Sequence, residues 1–137
     1  MKRDQFFALL VTLVFGVVCL TAILHHEMWR DELDTFVTAR DSSSFSSLMD
    51  YARFSGHPGL WFVFVYGISR FARNPAAIQL LNLVFALGAI YVFSCFSPFP
   101  RWLKVLFAFG YFPLYEYGVI SREYCLGMLL VFLLCAV

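Results

Sequence analysis

Residues 6–24, FFALLVTLVFGVVCLTAIL, run for 19 positions without a charged side chain. As an α-helix the run measures about 28 Å, close to the ~30 Å hydrocarbon thickness of a bilayer. No other feature restricts the fold as strongly, because a helix apolar all round either fills a core or lies in lipid. Composition favours lipid: 61% of the 137 residues are hydrophobic and 14% charged, against roughly 45–50% and about 25% in soluble domains. The 17 Phe and 7 Tyr suit lipid-facing and interfacial positions. A net charge of +1 argues against nucleic acid as a partner. The chain therefore reads as a multi-pass integral membrane protein with the lipid bilayer as its first partner. The opening MKR also suits a signal peptide, but the run is long for one and LTAILHHEM lacks a small-x-small cleavage site. An uncleaved first span is expected, with Lys2 and Arg3 holding the N-terminus in the cytoplasm and residues 25 onward outside or in a lumen.

The expected fold class is all-α, with transmembrane helices and an external loop of amphipathic juxtamembrane helices. The loop, residues 25–57, carries most of the charge. In DELDTFVTAR, Leu33, Phe36 and Val37 form one apolar stripe opposite the acids. Serines 42–44 offer helix N-caps, and FSSLMDYARF then sets Phe45, Leu48, Met49 and Ala52 on a second apolar face. Such helices lie on a membrane surface rather than crossing it. Residues 58–71 are apolar but short, about 21 Å as a helix, and are bounded by Pro58-Gly59 and Asn74-Pro75. They read as a cramped span or as a juxtamembrane segment. Spans are expected over 76–96, 103–115 and 125–137. If 58–71 crosses, Arg70 and Arg73 are cytoplasmic and Arg101 and Lys104 external; if it does not, the second pair is cytoplasmic. The charge rule leaves the two paths level.

The polar islands carry a family pattern: WRDEL with its acid pair after the first span, then GHPGLW, then SREY opening a later span. In order and spacing this resembles the N-terminal module of the GT-C class of glycosyltransferases, which includes protein O-mannosyltransferases and aminoarabinose-transferase relatives. The resemblance covers nearly all of the chain. It implies an enzyme that moves a sugar from a polyprenyl-phosphate carrier to a glycan, lipid or protein acceptor at the outer or lumenal face. Asp31 and Glu32 match the acidic pair of the family's first external loop, His57-Pro58-Gly59-Leu60 its His-Pro-Pro-Leu-like motif, and Arg122-Glu123-Tyr124 its Arg-x-Tyr element. The pattern departs in two places: Gly56 stands where the family has a second acid, and Gly59 replaces the second proline. The resemblance favours the path in which 58–71 stays juxtamembrane. Family members are several hundred residues long, so an N-terminal portion of a larger enzyme, inactive alone, is expected.

The chemistry gives a reason for such a site. Sugar transfer needs a base for the acceptor hydroxyl or amine, and a carboxylate serves. The leaving phosphate needs cations, and the planar fork of Arg suits it better than Lys. Asp31 and Glu32 are thus the candidate catalytic acids, Glu32 also reading as a positioning group or a partner of Arg30. His57, Arg122 and Tyr124 are the candidates for carrier phosphate. Each has a plainer reading as well. Asp31 suits a helix N-terminus, Arg122 an interfacial anchor, and His57 an interfacial histidine. A divalent metal ion is the only cofactor left open, with no metal ligand assigned; His25, His26 and Glu27 read as solvated rather than as ligands. Cys19, Cys95, Cys125 and Cys135 lie in apolar stretches without CxxC spacing and read as packing residues. Two other classes remain: a non-catalytic membrane scaffold or assembly subunit, and a transporter fragment. Charges concentrated at the interface rather than inside spans weigh against transport.

Overall fold

The computed structural model describes residues 2–137, with side chains from Asp4 onward. The side chains of Lys2 and Arg3, on which the orientation argument leans, lie outside the described residues. The chain is all-α: α1 (Lys2–Leu24), α2 (Arg30–Asp41), α3 (Phe45–Ser55), α4 (Gly59–Phe71), α5 (Ala76–Phe96), α6 (Arg101–Ala108), a π-helical segment (Phe112–Val119) and α7 (Glu123–Ala136).

In α1, Ala8, Val11, Phe15, Cys19 and Ile23 are buried at spacings of three and four, a single helical face. The opposite face exposes Phe6, Leu9, Leu13, Val17 and Leu24. Water around that face would forgo roughly 1.5–3 kcal/mol per large side chain. Two helices, Asp4–Leu24 and Ala76–Phe96, are long and apolar enough to cross a membrane.

α5 is the central element. Ala86 and Ile90 join a core with Val11, Phe15 and Cys19 of α1 and Cys125 of α7. Ile78 joins a second core with Phe36, Leu48, Trp61, Phe62 and Val65 from α2 to α4. The helices approach closely at Gly16, where a Cβ would sit 2.9 Å from Leu87 Cδ2 and push that side chain aside.

Helix α2 buries a different face from the expected stripe, whereas α3 buries most of the expected one. In α2 the buried positions are Glu32, Phe36 and Ala39, while Leu33 and Val37 stay exposed. In α3, Leu48 and Ala52 are buried, Met49 packs at the core's edge, and Phe45 is exposed with its ring 5.6 Å from that of Tyr66. Arg70, near the end of α4, donates from Nη2 to the Ala39 and Arg40 carbonyls at 2.7 Å each, closing the open end of α2.

Residues 58–71 lie between two contacts at the same end of the helix bundle. His57, before α4, bonds Glu123 at the start of α7. After α4 the chain enters α5 at the end where Asn82 meets residues 117–120. Asp4 and Arg101 pair at the opposite end, 3.0 Å apart. There the buried Lys104 donates from Nζ to the Ser94 carbonyl at 2.8 Å.

The stretch 103–115, expected as one span, is not one helix: α6 stops at Ala108 and the π-helical segment follows. Pro113 explains the break, because it has no N–H and its ring clashes with the carbonyl four residues earlier. The wider turn that follows leaves carbonyls for an outside donor. Asn82 Nδ2 supplies it, donating to Tyr117 at 2.8 Å, Gly118 at 3.0 Å and Ile120 at 3.3 Å. Gly118 itself must lack a side chain, since a Cβ would lie 3.0 Å from the Pro113 carbonyl and 3.1 Å from Cys19 Sγ.

Asn82→Ala should therefore lower stability by about 1–3 kcal/mol, the cost of leaving buried carbonyls unpaired. Asn82→Asp, which replaces the donors by acceptors, should cost at least as much. Thermal unfolding in detergent micelles measures both, and wild-type melting of either variant would contradict the role given to Asn82.

Candidate functional site

The site is assembled from three stretches far apart in sequence: 26–32, 57, and 121–124. Glu32 is the third residue of α2 and has no solvent exposure. Its Oε2 accepts the Trp29 backbone N–H at 2.8 Å, which satisfies a donor just ahead of the helix. The same oxygen accepts from His26 Nε2 at 2.9 Å, and Oε1 accepts the Ser121 backbone N–H at 2.7 Å. The last bond joins positions 89 residues apart. A buried carboxyl group is tolerated only when its acceptor sites are filled, and here three donors converge on it. Glu32 therefore positions the site, and its ion partner is His26 rather than Arg30. His26 is enclosed as well, its ring 6.2 Å from Trp29 and 6.4 Å from Tyr115, so it is not the solvated side chain its neighbourhood suggests.

Asp31, one position earlier, points the other way and keeps 64% of its side chain exposed. Its Oδ2 lies 3.7 Å from Arg122 Nη1, beyond hydrogen-bond distance but close enough for attraction. Arg122 caps the start of α7 and lies 5.1 Å over the ring of Tyr124. Stacking holds the guanidinium plane and leaves its edge for an anion.

His57 is brought to the same corner by Glu123, whose Oε1 is 2.8 Å from Nδ1. Facing a carboxylate oxygen, Nδ1 is the donor, so the ring orientation is set and Nε2 makes no protein bond among the described residues. Asp31 and His57 both line a cleft of about 120 Å³, together with Asp34, Thr35 and Tyr51. The Tyr51 hydroxyl donates to Asp34 at 3.3 Å across its mouth.

All five residues singled out from the sequence, Asp31, Glu32, His57, Arg122 and Tyr124, thus fall at one end of the bundle. Glu123 and His26 were missed. Glu123 sits within the recognised SREY pattern, but nothing in the sequence joins it to His57, 66 residues away. Gly56, where the resemblance expects an acid, ends α3 with φ +74°. That left-handed conformation favours glycine, so an acid would strain the turn that delivers His57.

A divalent metal does not fit these residues. Among the described residues no three His, Cys, Asp or Glu side chains gather as a ligand set.

The two neighbouring acids should respond unequally to neutralisation. Glu32→Gln turns an acceptor into a donor facing a backbone N–H or His26, and should cost roughly 2–4 kcal/mol. Asp31→Asn, exposed and loosely paired, should stay within about 0.5 kcal/mol of wild type. Denaturation of the two variants side by side checks this, and equal losses would refute the buried role of Glu32.

No family model, no curated protein and no solved structure matches this chain.

Proposed function

We propose that the protein is a membrane glycosyltransferase module that handles the phosphate end of a polyprenyl-phosphate sugar and moves the sugar to an acceptor. One observation carries this reading: a solvent-open carboxylate and an arginine, 91 positions apart in the chain, stand 3.7 Å apart beside a histidine held by its own carboxylate. Asp31 takes the proton of the acceptor hydroxyl or amine as that atom attacks the anomeric carbon. The bond from that carbon to phosphate oxygen breaks, and the carrier phosphate leaves with its charge balanced by Arg122. Tyr124 orients the guanidinium, His57 contacts the phosphate, and Glu32 holds the loop without touching substrate. The cleft of about 120 Å³ admits a phosphate or a hydroxyl group and is small against the ~300 Å³ or more of a site enclosing a whole ligand. The sugar and apolar tail must extend onto the open surface beside it.

In this reading α1 and α5 cross the bilayer, α2 to α4 lie on the outer or lumenal face, and the carrier tail runs in lipid along the bundle. A non-catalytic assembly role is the second reading. It is favoured by the fact that each charged group of the site already has a partner within the chain.

Activity separates the two. In membranes from cells expressing the native gene, Asp31→Asn should lower the transfer step by ~10²–10⁴-fold with little change in carrier binding, as for loss of a general base. Arg122→Lys should weaken carrier binding, because a point charge replaces the fork. Near-wild-type transfer by folded Asp31→Asn would remove the catalytic reading and leave the assembly role.

Orientation has its own test. With the four native cysteines replaced, a single cysteine at Ser43 should react with an impermeant reagent added outside, and one at Pro98 should not. The reverse pattern would put the site on the cytoplasmic face, where an outer-leaflet donor cannot reach it.

A further inference from the structure

At the far end of α2 from Asp31, the last turns of α2 and α4 meet in an open cleft of about 580 Å³ lined by Arg40, Asp41, Ser69, Arg70 and Arg73. Three arginines face one carboxylate there. Asp41 is committed to Arg40, accepting from Nε at 2.7 Å and Nη2 at 3.0 Å. Arg70 is held from behind: its Nη2 donates to the Ala39 and Arg40 carbonyls, and its guanidinium lies 4.5 Å over the Tyr66 ring. These contacts use one of its nitrogens. Nε and Nη1 make no protein bond among the described residues. Arg73 lies past the end of α4 and forms no ion pair among the described residues.

Helix ends explain part of this. Cations are favoured at the carboxyl ends of helices, which accounts for Arg40 and Arg70 but not for Arg73 beyond α4. Three guanidiniums sharing the single carboxylate of Asp41 repel across the cleft, and an anion among them reduces that cost. The anchored fork of Arg70 beside the unpaired charge of Arg73 suits a group with several acceptor oxygens, which is the chemistry of phosphate. Phe71, next to Arg70 in the chain, is 93% exposed. Phe71 does not line the cleft itself, but a phosphate joined to an apolar tail would meet an exposed ring one residue from Arg70.

We propose that this cleft binds a phosphate ester, and that the ester is the headgroup of an anionic phospholipid that pins the α2–α4 layer to the membrane surface. The site is separate from the Asp31–Arg122 corner, since the nine residues from Asp31 to Arg40 cover about 13.5 Å of helix. It does not depend on sugar transfer; only the lipid source of the phosphate rests on the membrane reading.

The full-length protein in detergent micelles is titrated with short-chain phosphatidylglycerol, with phosphatidylcholine of the same chain length, and with inorganic phosphate, binding being read by native mass spectrometry. Phosphatidylglycerol should bind well above phosphatidylcholine. Arg73→Gln, which breaks no internal bond, should weaken phosphatidylglycerol about fivefold, the effect of one cation at a membrane surface. Arg73→Lys should recover most of the loss, and Arg53→Gln, a cation outside the cleft, should change nothing. Equal binding of the two lipids, or no effect of Arg73→Gln, would overturn the lipid site. Arg73-dependent binding of inorganic phosphate without any lipid preference would overturn the lipid source and assign the cleft to a soluble phosphate.

Discussion

A carboxylate without access to solvent joins the two polar islands of this protein. Glu32 receives the Trp29 and Ser121 backbone N–H groups and the His26 ring, and each donor offsets part of a desolvation cost of several kcal/mol. The arrangement is effective only when complete, because removing one partner leaves a buried polar group unpaired. It therefore sets the start of α2 and the start of α7 in one fixed relation. Arg122 and Glu123 follow Ser121 directly, so their positions against Asp31 and His57 follow from that bond. The open face of the site rests on a closed one behind it.

The second support lies within the apolar bundle. Asn82 stands in the first third of α5 and bonds three carbonyls around the end of the π-helical segment. A polar side chain in such a helix is costly unless it finds partners, and here the partners exist because Pro113 has interrupted α6 and widened the turn. The irregular backbone brings the chain to Ser121 with its N–H directed at Glu32. Broken helix, buried amide and buried carboxylate are thus steps of one path from the core to the site.

The same electrostatic rule organises both ends of α2. Acids occupy its first turn and Arg40 its last, as the helix dipole favours. At the first end the acids divide, Glu32 inward and Asp31 outward, and a cleft with a carboxylate and a histidine results. At the other end Arg40 is joined by Arg70 and Arg73, and the cleft there is cationic. One helix of 12 residues so presents two surfaces of opposite charge, with α4 packed alongside it.

The helices at 6–24 and 76–96 were legible in the sequence, because an uninterrupted apolar run of that length has few conformations open to it. The pattern of acids, His57 and Arg122 also named the residues that gather at one end. The sequence did not reveal that 103–115 breaks in two, since an apolar run dominated the reading over Gly110 and Pro113 within it. Nor did it reveal the division of labour between Asp31 and Glu32. Adjacent residues on a helix point about 100° apart, so only the packing of α2 decides which of them is buried. His26 looked solvated because its chain neighbours are polar, yet its real neighbours are Glu32, Trp29 and Tyr115. Asn82 left a readable sign, an amide inside an apolar run, but not its partners. Sequence by itself determined the local elements and their apolar faces, which depend on residues within a few positions of each other. Tertiary structure alone decided the pairings across 66 and 89 residues, because only the packing of α7 and the helices before it brings those residues within bonding distance.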